Sequence, residues 1–116
     1  MIREKALSAR FYRTASGNEP VREWLQELQK EEKKAIGEDI KTVQFGWPIG
    51  MPLVDNISKG IWEVRSKLPT RKIARVLFAV VNEEIVLLHG FIKKTRATPD
   101  SDKKIALKRL KEISGG

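Results

Sequence analysis

Residues 61–94 read IWEVRSKLPTRKIARVLFAVVNEEIVLLHGFIKK. Apolar, β-branched and aromatic residues are frequent in three runs of this stretch, at 61–68, 72–81 and 85–94, and such runs are typical of β-strands. Loops of only three residues separate the runs, and loops this short join antiparallel neighbours. The stretch therefore predicts an antiparallel meander of three strands.

The two short loops predict a register in which Leu68 pairs with Lys72 and Val81 pairs with Ile85. One face of the sheet is then almost entirely apolar, as a sheet packed against helices requires. This face comprises Trp62, Val64, Leu68, Ala74, Val76, Phe78, Val80, Val86, Leu88 and Ile92. The opposite face comprises Glu63, Arg65, Lys67, Arg71, Arg75, His89, Phe91 and Lys93, with Leu77, Ile85 and Leu87 toward its other end.

The predicted register places Arg65 directly opposite Arg75. Like charges that face each other across strands destabilise a sheet unless an anion lies between them. A bound phosphate would supply that anion; alternatively, Glu63 or the acidic residues of the last helix neutralise the pair. His89 is either a proton-transferring group beside these cations or an ordinary strand residue. Phe91 is either a core residue or a platform on which an unpaired base stacks.

The first half of the chain predicts a strand and two helices. Residues 9–13 form a short strand candidate, which turn-forming residues follow. A helix is predicted at 20–29, with proline at its first position and apolar residues at helical spacing. A second amphipathic helix follows, with apolar residues spaced four and three apart from Ile36 onward, so that the two form a helical hairpin. Residues 46–60 predict a long loop because glycine and proline interrupt any regular pattern.

A last helix is predicted near the C-terminal end, over residues 105–113, with Asp100 or Ser101 as its N-cap. The elements together predict an α+β protein. Its N-terminal strand and two-helix hairpin pack on an antiparallel sheet, and a C-terminal helix follows. A chain of 116 residues has the common size of one compact unit, so we expect a single domain over residues 1–116.

The charge is unevenly distributed. Residues 1–58 hold nine basic and nine acidic residues, whereas residues 59–116 hold fourteen and six, which accounts for the formal net charge of +8. Such an excess favours a phosphate-rich partner, nucleic acid above all, over the alternative of a merely solvated basic surface. With no cysteine and a single histidine, we expect neither a metal site nor a cofactor. No signal-peptide pattern and no apolar run near about 20 residues is present, which predicts a cytoplasmic protein that does not enter a membrane.

Four motifs together resemble one protein family. They are Gly60–Arg65 (GIWEVR), Arg75–Phe78 (RVLF), Leu87–Thr95 (LLHGFIKKT) with Pro99 after it, and Gly17–Val21 (GNEPV) with Trp24 and Leu25 after it. The combination resembles the phage-related branch of the RelE/ParE toxin superfamily, to which HigB toxins belong. The resemblance covers nearly the whole chain and implies the RelE-like fold, whose element order is the one read above from the residues.

The resemblance also implies a function, that of a ribosome-dependent mRNA interferase and toxin of a type II toxin–antitoxin system. Such an endoribonuclease cleaves translated mRNA in the 30S A site and thereby inhibits translation and growth. The RNA 2′-hydroxyl attacks the adjacent phosphate without a metal ion, which gives a cyclic phosphate and a free 5′-hydroxyl. The implied partners are mRNA on the ribosome and a cognate helix-turn-helix antitoxin of HigA type. Operator DNA is an implied partner only through the antitoxin complex.

This reaction needs a base, an acid and cations at the phosphate. By position in the motifs, the resemblance assigns catalytic roles to Arg65, Arg75, His89 and Lys93. The expected RNA and phosphate contacts are Lys67, Arg71, Lys72, Phe91, Lys94 and Arg96. Many RelE toxins carry a tyrosine near the C-terminus, whereas the single tyrosine here is Tyr12. The identity of the general base therefore stays open.

Two other functions are compatible with the same fold. ParE-like members of the superfamily inhibit DNA gyrase by binding it and have no ribonuclease chemistry. A non-catalytic nucleic-acid-binding module is the third possibility, as a degenerate toxin or as a repressor acting with its antitoxin. The clustered cations beside His89 favour the interferase, because a gyrase inhibitor has no evident need for them.

Overall fold

The computed structural model describes residues 6–93 and 97–114, and of Lys93 it describes only the backbone. The strands are β1 (Ser8–Phe11), β2 (Val54–Ser58), β3 (Ile61–Lys67), β4 (Ile73–Val81) and β5 (Glu84–Lys93). The helices are α1 (Pro20–Gln26), α2 (Lys30–Gly46) and α3 (Asp100–Ile113). This architecture confirms the predicted α+β class and is consistent with a RelE-like fold.

The strands form one sheet in the order β1-β5-β4-β3-β2. Strands β2 to β5 run as an antiparallel meander, whereas β1 lies parallel to β5. Parallel neighbours need a long connection between them, and here that connection includes α1, α2 and the other three strands. The sheet is therefore mixed, and the predicted antiparallel arrangement holds for four of its five strands.

Strand β2 lies within residues 46–60, where the sequence predicted a loop, so that part of the prediction is wrong. The strand is five residues long and contains Asp55, Asn56 and Ser58, which are not typical strand residues. Its regular structure comes from pairing with β3 along one edge of the sheet. No local pattern marks such a strand, because its partner rather than its own propensity determines its conformation.

The two hairpins of the meander differ in how well the sequence predicted them. In the first, the Leu68 N–H donates to the Lys72 carbonyl at 2.9 Å, as predicted. In the second, Asn82 and Glu83 both have positive φ, of 51° and 61°. Positive φ at both central residues is the mark of a two-residue type I′ turn, and Glu84 therefore belongs to the strand instead of to a three-residue loop.

A β-bulge in β5 restores the predicted register beyond the two-residue turn. Phe78 pairs with Leu87 and Leu77 pairs with His89, so Leu88 is the extra residue on β5. The pairing on the far side of the bulge is the predicted one. Between the bulge and the turn, however, the predicted faces of residues 85–88 are exchanged, because the register there differs by one residue.

The sheet has a core on each face. On one face α1 packs against β5 and α2 against β3, around buried residues that include Ile36, Val64, Phe78, Ile85 and Leu87. On the other face α3 covers a smaller cluster. This second core comprises Tyr12, Ile61, Leu77, Ala79, Val86, Leu88 and Ala106, with Leu107, Leu110 and Ile113 of α3 packed against it. Helix α3 thus buries apolar side chains against the sheet.

The helix ends also differ in detail from those predicted. Helix α1 ends at Gln26. Gln29 is the N-cap of α2, and its backbone N–H donates to the Glu32 carboxylate at 3.0 Å. At α3 the N-cap is Pro99 instead of Asp100 or Ser101. Asp100 consequently lies in the first turn, where its negative charge is favourable at the positive end of the helix dipole.

Among the residues that the structure describes, no helix has both the length and the apolar character needed to cross a membrane.

Gly90 on β5 allows the close approach of α1 to the sheet. A Cβ atom at this position would lie 2.5 Å from both Cε3 and Cζ3 of the Trp24 ring. We expect Gly90→Ala to lower the free energy of unfolding by about 1–3 kcal/mol, because the indole ring must move out of a packed layer. Urea unfolding followed by tryptophan fluorescence measures this loss.

Gly37→Ala on α2 is the matched control, since a Cβ atom there meets nothing within 4 Å. Alanine is the better helix former, so this variant should gain about 0.5–1 kcal/mol. Equal stability of Gly90→Ala and the wild-type protein would contradict the assigned packing.

Candidate functional site

The candidate site lies on the face of the sheet that carries α3. The register of β3, β4 and β5 places Arg65 opposite Arg75 and Arg75 opposite Phe91, so that these three residues form a row across three strands. His89 lies beside this row, opposite Leu77. The sequence predicted each of these pairings. The structure brings together four of the predicted site residues, namely Arg65, Arg75, His89 and Phe91.

Arg75 is buried at the centre of the row, with 2% of its surface exposed. Its Nη1 lies 3.4 Å from Glu63 Oε1 and donates to the Thr98 hydroxyl at 3.3 Å. The Thr98 hydroxyl in turn donates to the Glu63 carboxylate. Burying a charge is costly unless an opposite charge and hydrogen bonds compensate for it, and this network provides both.

Glu63 also resolves the opposition of the two arginines. The Arg65 Nε lies 4.0 Å from Glu63 Oε1, so one carboxylate approaches both guanidinium groups. This is the alternative to a bound phosphate that the sequence left open. Arg65 remains 30% exposed and can reach a ligand, whereas the buried Arg75 attaches residue Thr98, which lies just before α3, to the sheet.

His89 is held between two side chains. Its Nε2 lies 2.6 Å from Asp102 Oδ1 in the first turn of α3, and its ring stacks on Phe91 with centroids 5.5 Å apart. Both His89 and Asp102 are partly exposed, at 17% and 16% of their side-chain surfaces. A carboxylate bound to one ring nitrogen fixes the orientation of an imidazole.

Asp102 is the site residue that sequence reasoning missed. It lies thirteen residues after His89, and its approach depends on how α3 packs against β5. The only sequence signal was the predicted helix start nearby, which accounts equally well for an acidic residue there. Phe91 packs against the second core, which is the first of its two predicted roles, and its ring also stacks on His89. Its role as a platform for an unpaired base stays a prediction.

The predicted RNA contacts fall into two groups. Lys67, Arg71 and Lys72 are all exposed and lie around the turn between β3 and β4. Lys67 pairs with Ile73, which pairs in turn with the backbone of Lys93, so this turn lies at the same end of the sheet as Lys93. The side chain of Lys93 and the predicted contacts Lys94 and Arg96 lie outside the described residues.

Tyr12 lies on the same face but at the other end of α3. Its hydroxyl donates to the Glu112 carboxylate, and this bond and burial raise the pKa of Tyr12 above its ordinary value of 10.0. Arg109 lies 5.2 Å from the centre of the Tyr12 ring and donates to the Leu88 carbonyl at 2.6 Å. Partial burial lowers the pKa of Arg109. These contacts attach the last turns of α3 to the sheet.

No group of three or more metal-ligating side chains from histidine, cysteine, aspartate and glutamate occurs in the described part of the chain.

Comparison with known families identifies the chain. A family model described as phage derived protein Gp49-like (DUF891) matches residues 23–111. This range covers more than half of the chain and includes Glu63, Arg75, His89 and Asp102. The chain belongs to this family. A search of curated proteins found no match.

The Gp49-like family is a RelE/ParE-like toxin family of toxin–antitoxin systems. The match therefore supports the coarser part of the sequence-based identification, a toxin-like module of this superfamily. It extends from within α1 to the last turn of α3, so that the Gp49-like region contains both anchoring contacts of α3 to β5, through His89 and through the Leu88 carbonyl.

The buried ion pair of this Gp49-like site predicts a large effect on stability. Glu63→Gln removes the counter-charge of Arg75 while it keeps the size of the side chain. We expect a loss of about 3–5 kcal/mol in the free energy of unfolding, because the buried guanidinium loses the negative charge of Glu63. Urea unfolding monitored by circular dichroism measures the loss.

Glu84→Gln is the matched control. The Glu84 carboxylate lies 2.6 Å from the Arg10 Nε, a shorter distance than in the buried pair. Both side chains are nevertheless exposed to solvent, Glu84 by 34% and Arg10 by 43%. Such exposed pairs contribute about 0–1 kcal/mol. Similar losses in the two variants would show that burial does not govern the Glu63–Arg75 interaction.

The raised pKa of Tyr12 predicts a pH dependence. Because its pKa is higher in the folded than in the unfolded state, the protonated hydroxyl contributes stability that is complete below about pH 10 and is lost as the pH rises through the folded-state pKa. Wild type should thus exceed Tyr12→Phe in stability at about pH 8, and the difference should shrink above about pH 10. Urea unfolding of both proteins over this range tests the claim, which a constant difference would refute.

Proposed function

We propose that this Gp49-like protein is the toxin of a type II toxin–antitoxin pair of the HigB type and acts as a ribosome-dependent mRNA endoribonuclease. The observation that carries the proposal is the hydrogen-bonded His89–Asp102 pair, stacked on Phe91 at the edge of a cationic face. A partly exposed imidazole that a carboxylate holds in place is suited to proton transfer.

In the proposed reaction the 2′-hydroxyl oxygen of one nucleotide forms a bond to the adjacent phosphorus, and the bond from phosphorus to the 5′-oxygen breaks. The products are a 2′,3′-cyclic phosphate and a free 5′-hydroxyl. One proton leaves the attacking hydroxyl and one is delivered to the departing oxygen. His89 is our candidate for one of these transfers, with Asp102 holding the ring in place.

The cations divide into two roles under this proposal. Arg65 is partly exposed and is suited to a bidentate contact with the phosphate as negative charge develops on it. Arg75 is buried against Glu63 and Thr98, so we assign it a positioning role, which differs from the direct catalytic role expected from the sequence. Lys93 stays a candidate on the strength of its position in the motif.

The same surface suggests the partners. Lys67, Arg71 and Lys72 present three exposed positive charges at one end of the sheet, which suits the phosphate backbone of mRNA or of the 30S A site. We propose a helix-turn-helix antitoxin of HigA type as the inhibitor, with operator DNA bound only by the antitoxin complex. The proposed place of action is the cytoplasm, where translated mRNA is found.

The proposal is tested by expressing wild type and variants from a tightly repressed promoter and mapping RNA 5′ ends on a reporter message. A second reporter message lacks a start codon and is not translated, so it shows whether cutting requires translation. We expect cuts within codons on the translated message only. His89→Ala should reduce cutting by about 10²- to 10⁴-fold, the usual contribution of a general acid or base.

Asp102→Asn and Asp100→Asn form a matched pair, because both residues lie in the first turn of α3 but only Asp102 contacts His89. The first variant should cut at least about tenfold more slowly, and the second should cut like wild type. Growth arrest with intact mRNA would refute the ribonuclease and favour inhibition of gyrase. Absence of both arrest and cuts would leave a nucleic-acid-binding module.

A further inference from the structure

A surface cavity of about 440 Å³ lies between helix α2 and the end of strand β3 that carries the exposed cations. Its lining includes Glu38, Asp39, Pro52, Leu53, Arg65 and Lys67. A volume of this size falls within the range of about 300–1,000 Å³ found for small-ligand sites. The cavity therefore has room for one nucleotide, and Arg65 connects it to the candidate functional site.

The charged side chains around this cavity, as far as the structure describes them, are not paired with one another. Helix α2 contributes two carboxylates, and β3 contributes two cations, but no ion pair within 4.0 Å joins these groups in the described part of the chain. The ion pair recorded for Arg65 is instead with Glu63, at the full 4.0 Å. Both signs of charge are thus available to a ligand, with apolar surface from Pro52 and Leu53 beside them.

A ligand that fits this lining carries an anion and, at its other end, hydrogen-bond donors. A nucleotide meets both requirements, because its phosphate suits Arg65 and Lys67 while the base suits the carboxylates and the apolar wall. Carboxylates accept hydrogen bonds, and the exocyclic amino groups of guanine, adenine and cytosine donate them. Uracil has no exocyclic amino group. Its carbonyl oxygens lie on both sides of its single N–H, and a carboxylate repels these oxygens.

The cavity lies within reach of the proposed reaction. Arg65, Arg75 and Phe91 are paired on three adjacent strands, so Arg65 and Phe91 are two strand spacings apart, or about 10 Å. Phe91 stacks on His89. Helix α2 lies on the opposite face of the sheet from α3. A single RNA strand with its reacting phosphate near His89 would therefore pass Arg65, which lines the cavity, to place a neighbouring nucleotide there.

We propose that this cavity binds the base of a nucleotide next to the cleavage position, and that Glu38 and Asp39 select bases that carry an exocyclic amino group and disfavour uracil. This inference rests on the proposed ribonuclease function and adds a specificity site to it. Glu38 and Asp39 take no part in the bond-breaking step. Their role is to select the base that binds in the cavity.

The test compares the bases flanking the cuts made by wild type, Glu38→Gln and Asp39→Asn on a message library with randomised codons. An amide can donate as well as accept hydrogen bonds, so either variant should accept uracil. We expect the discrimination against uracil at one flanking position to fall by about tenfold. Glu31→Gln on the same helix is the matched control, because Glu31 is exposed and does not line the cavity.

Cuts by the variants with an unchanged base distribution would overturn this inference and leave the proposed function intact. If wild type makes no cuts, the proposed function fails, and a binding measurement then decides the inference separately. In that case ¹⁵N-labelled protein is titrated with the dinucleotides GpG and UpU. Shifts of the Leu53 and Ile73 amides with GpG alone would support the cavity, and equal responses to both would refute it.

Discussion

The burial of one ion pair in the middle of the sheet constrains the rest of this structure. Arg75 and Glu63 are each 2% exposed, and burying either charge is costly unless an opposite charge compensates for it. Their network includes Thr98, so the residue two positions before α3 is attached to the sheet. This attachment constrains the position of α3, and with it that of Asp102.

How far the sequence predicts the fold can be seen strand by strand. The opposition of Arg65 and Arg75 was predictable, because the hairpin that joins β3 and β4 has a short loop and a clear alternation of side chains. The exchange of faces at residues 85–88 was not, since all four residues are apolar and alternation gives no signal there. Strand β2 was missed because pairing, not composition, determines it.

The candidate site shows a similar division. Residues on the strands could be placed from periodicity, which is why Arg65, His89 and Phe91 were correctly expected on one face. Burial could not be foreseen, because it depends on what covers the sheet, and Arg75 was therefore expected to contact phosphate directly. Asp102 was missed for the same reason, since local sequence does not determine which strand a helix end will meet.

Strand β1 pairs in parallel with β5, and this pairing joins Ser8 to Glu84 across seventy-six residues. During synthesis β1 has no partner until β5 has been made, and the core beneath α1 stays open for the same period because Trp24 packs on Gly90. Closing so long a loop costs entropy before its contacts form, which slows folding. A ribosome-bound fragment that stops before β5 therefore lacks His89 and also the neighbour that completes its first strand.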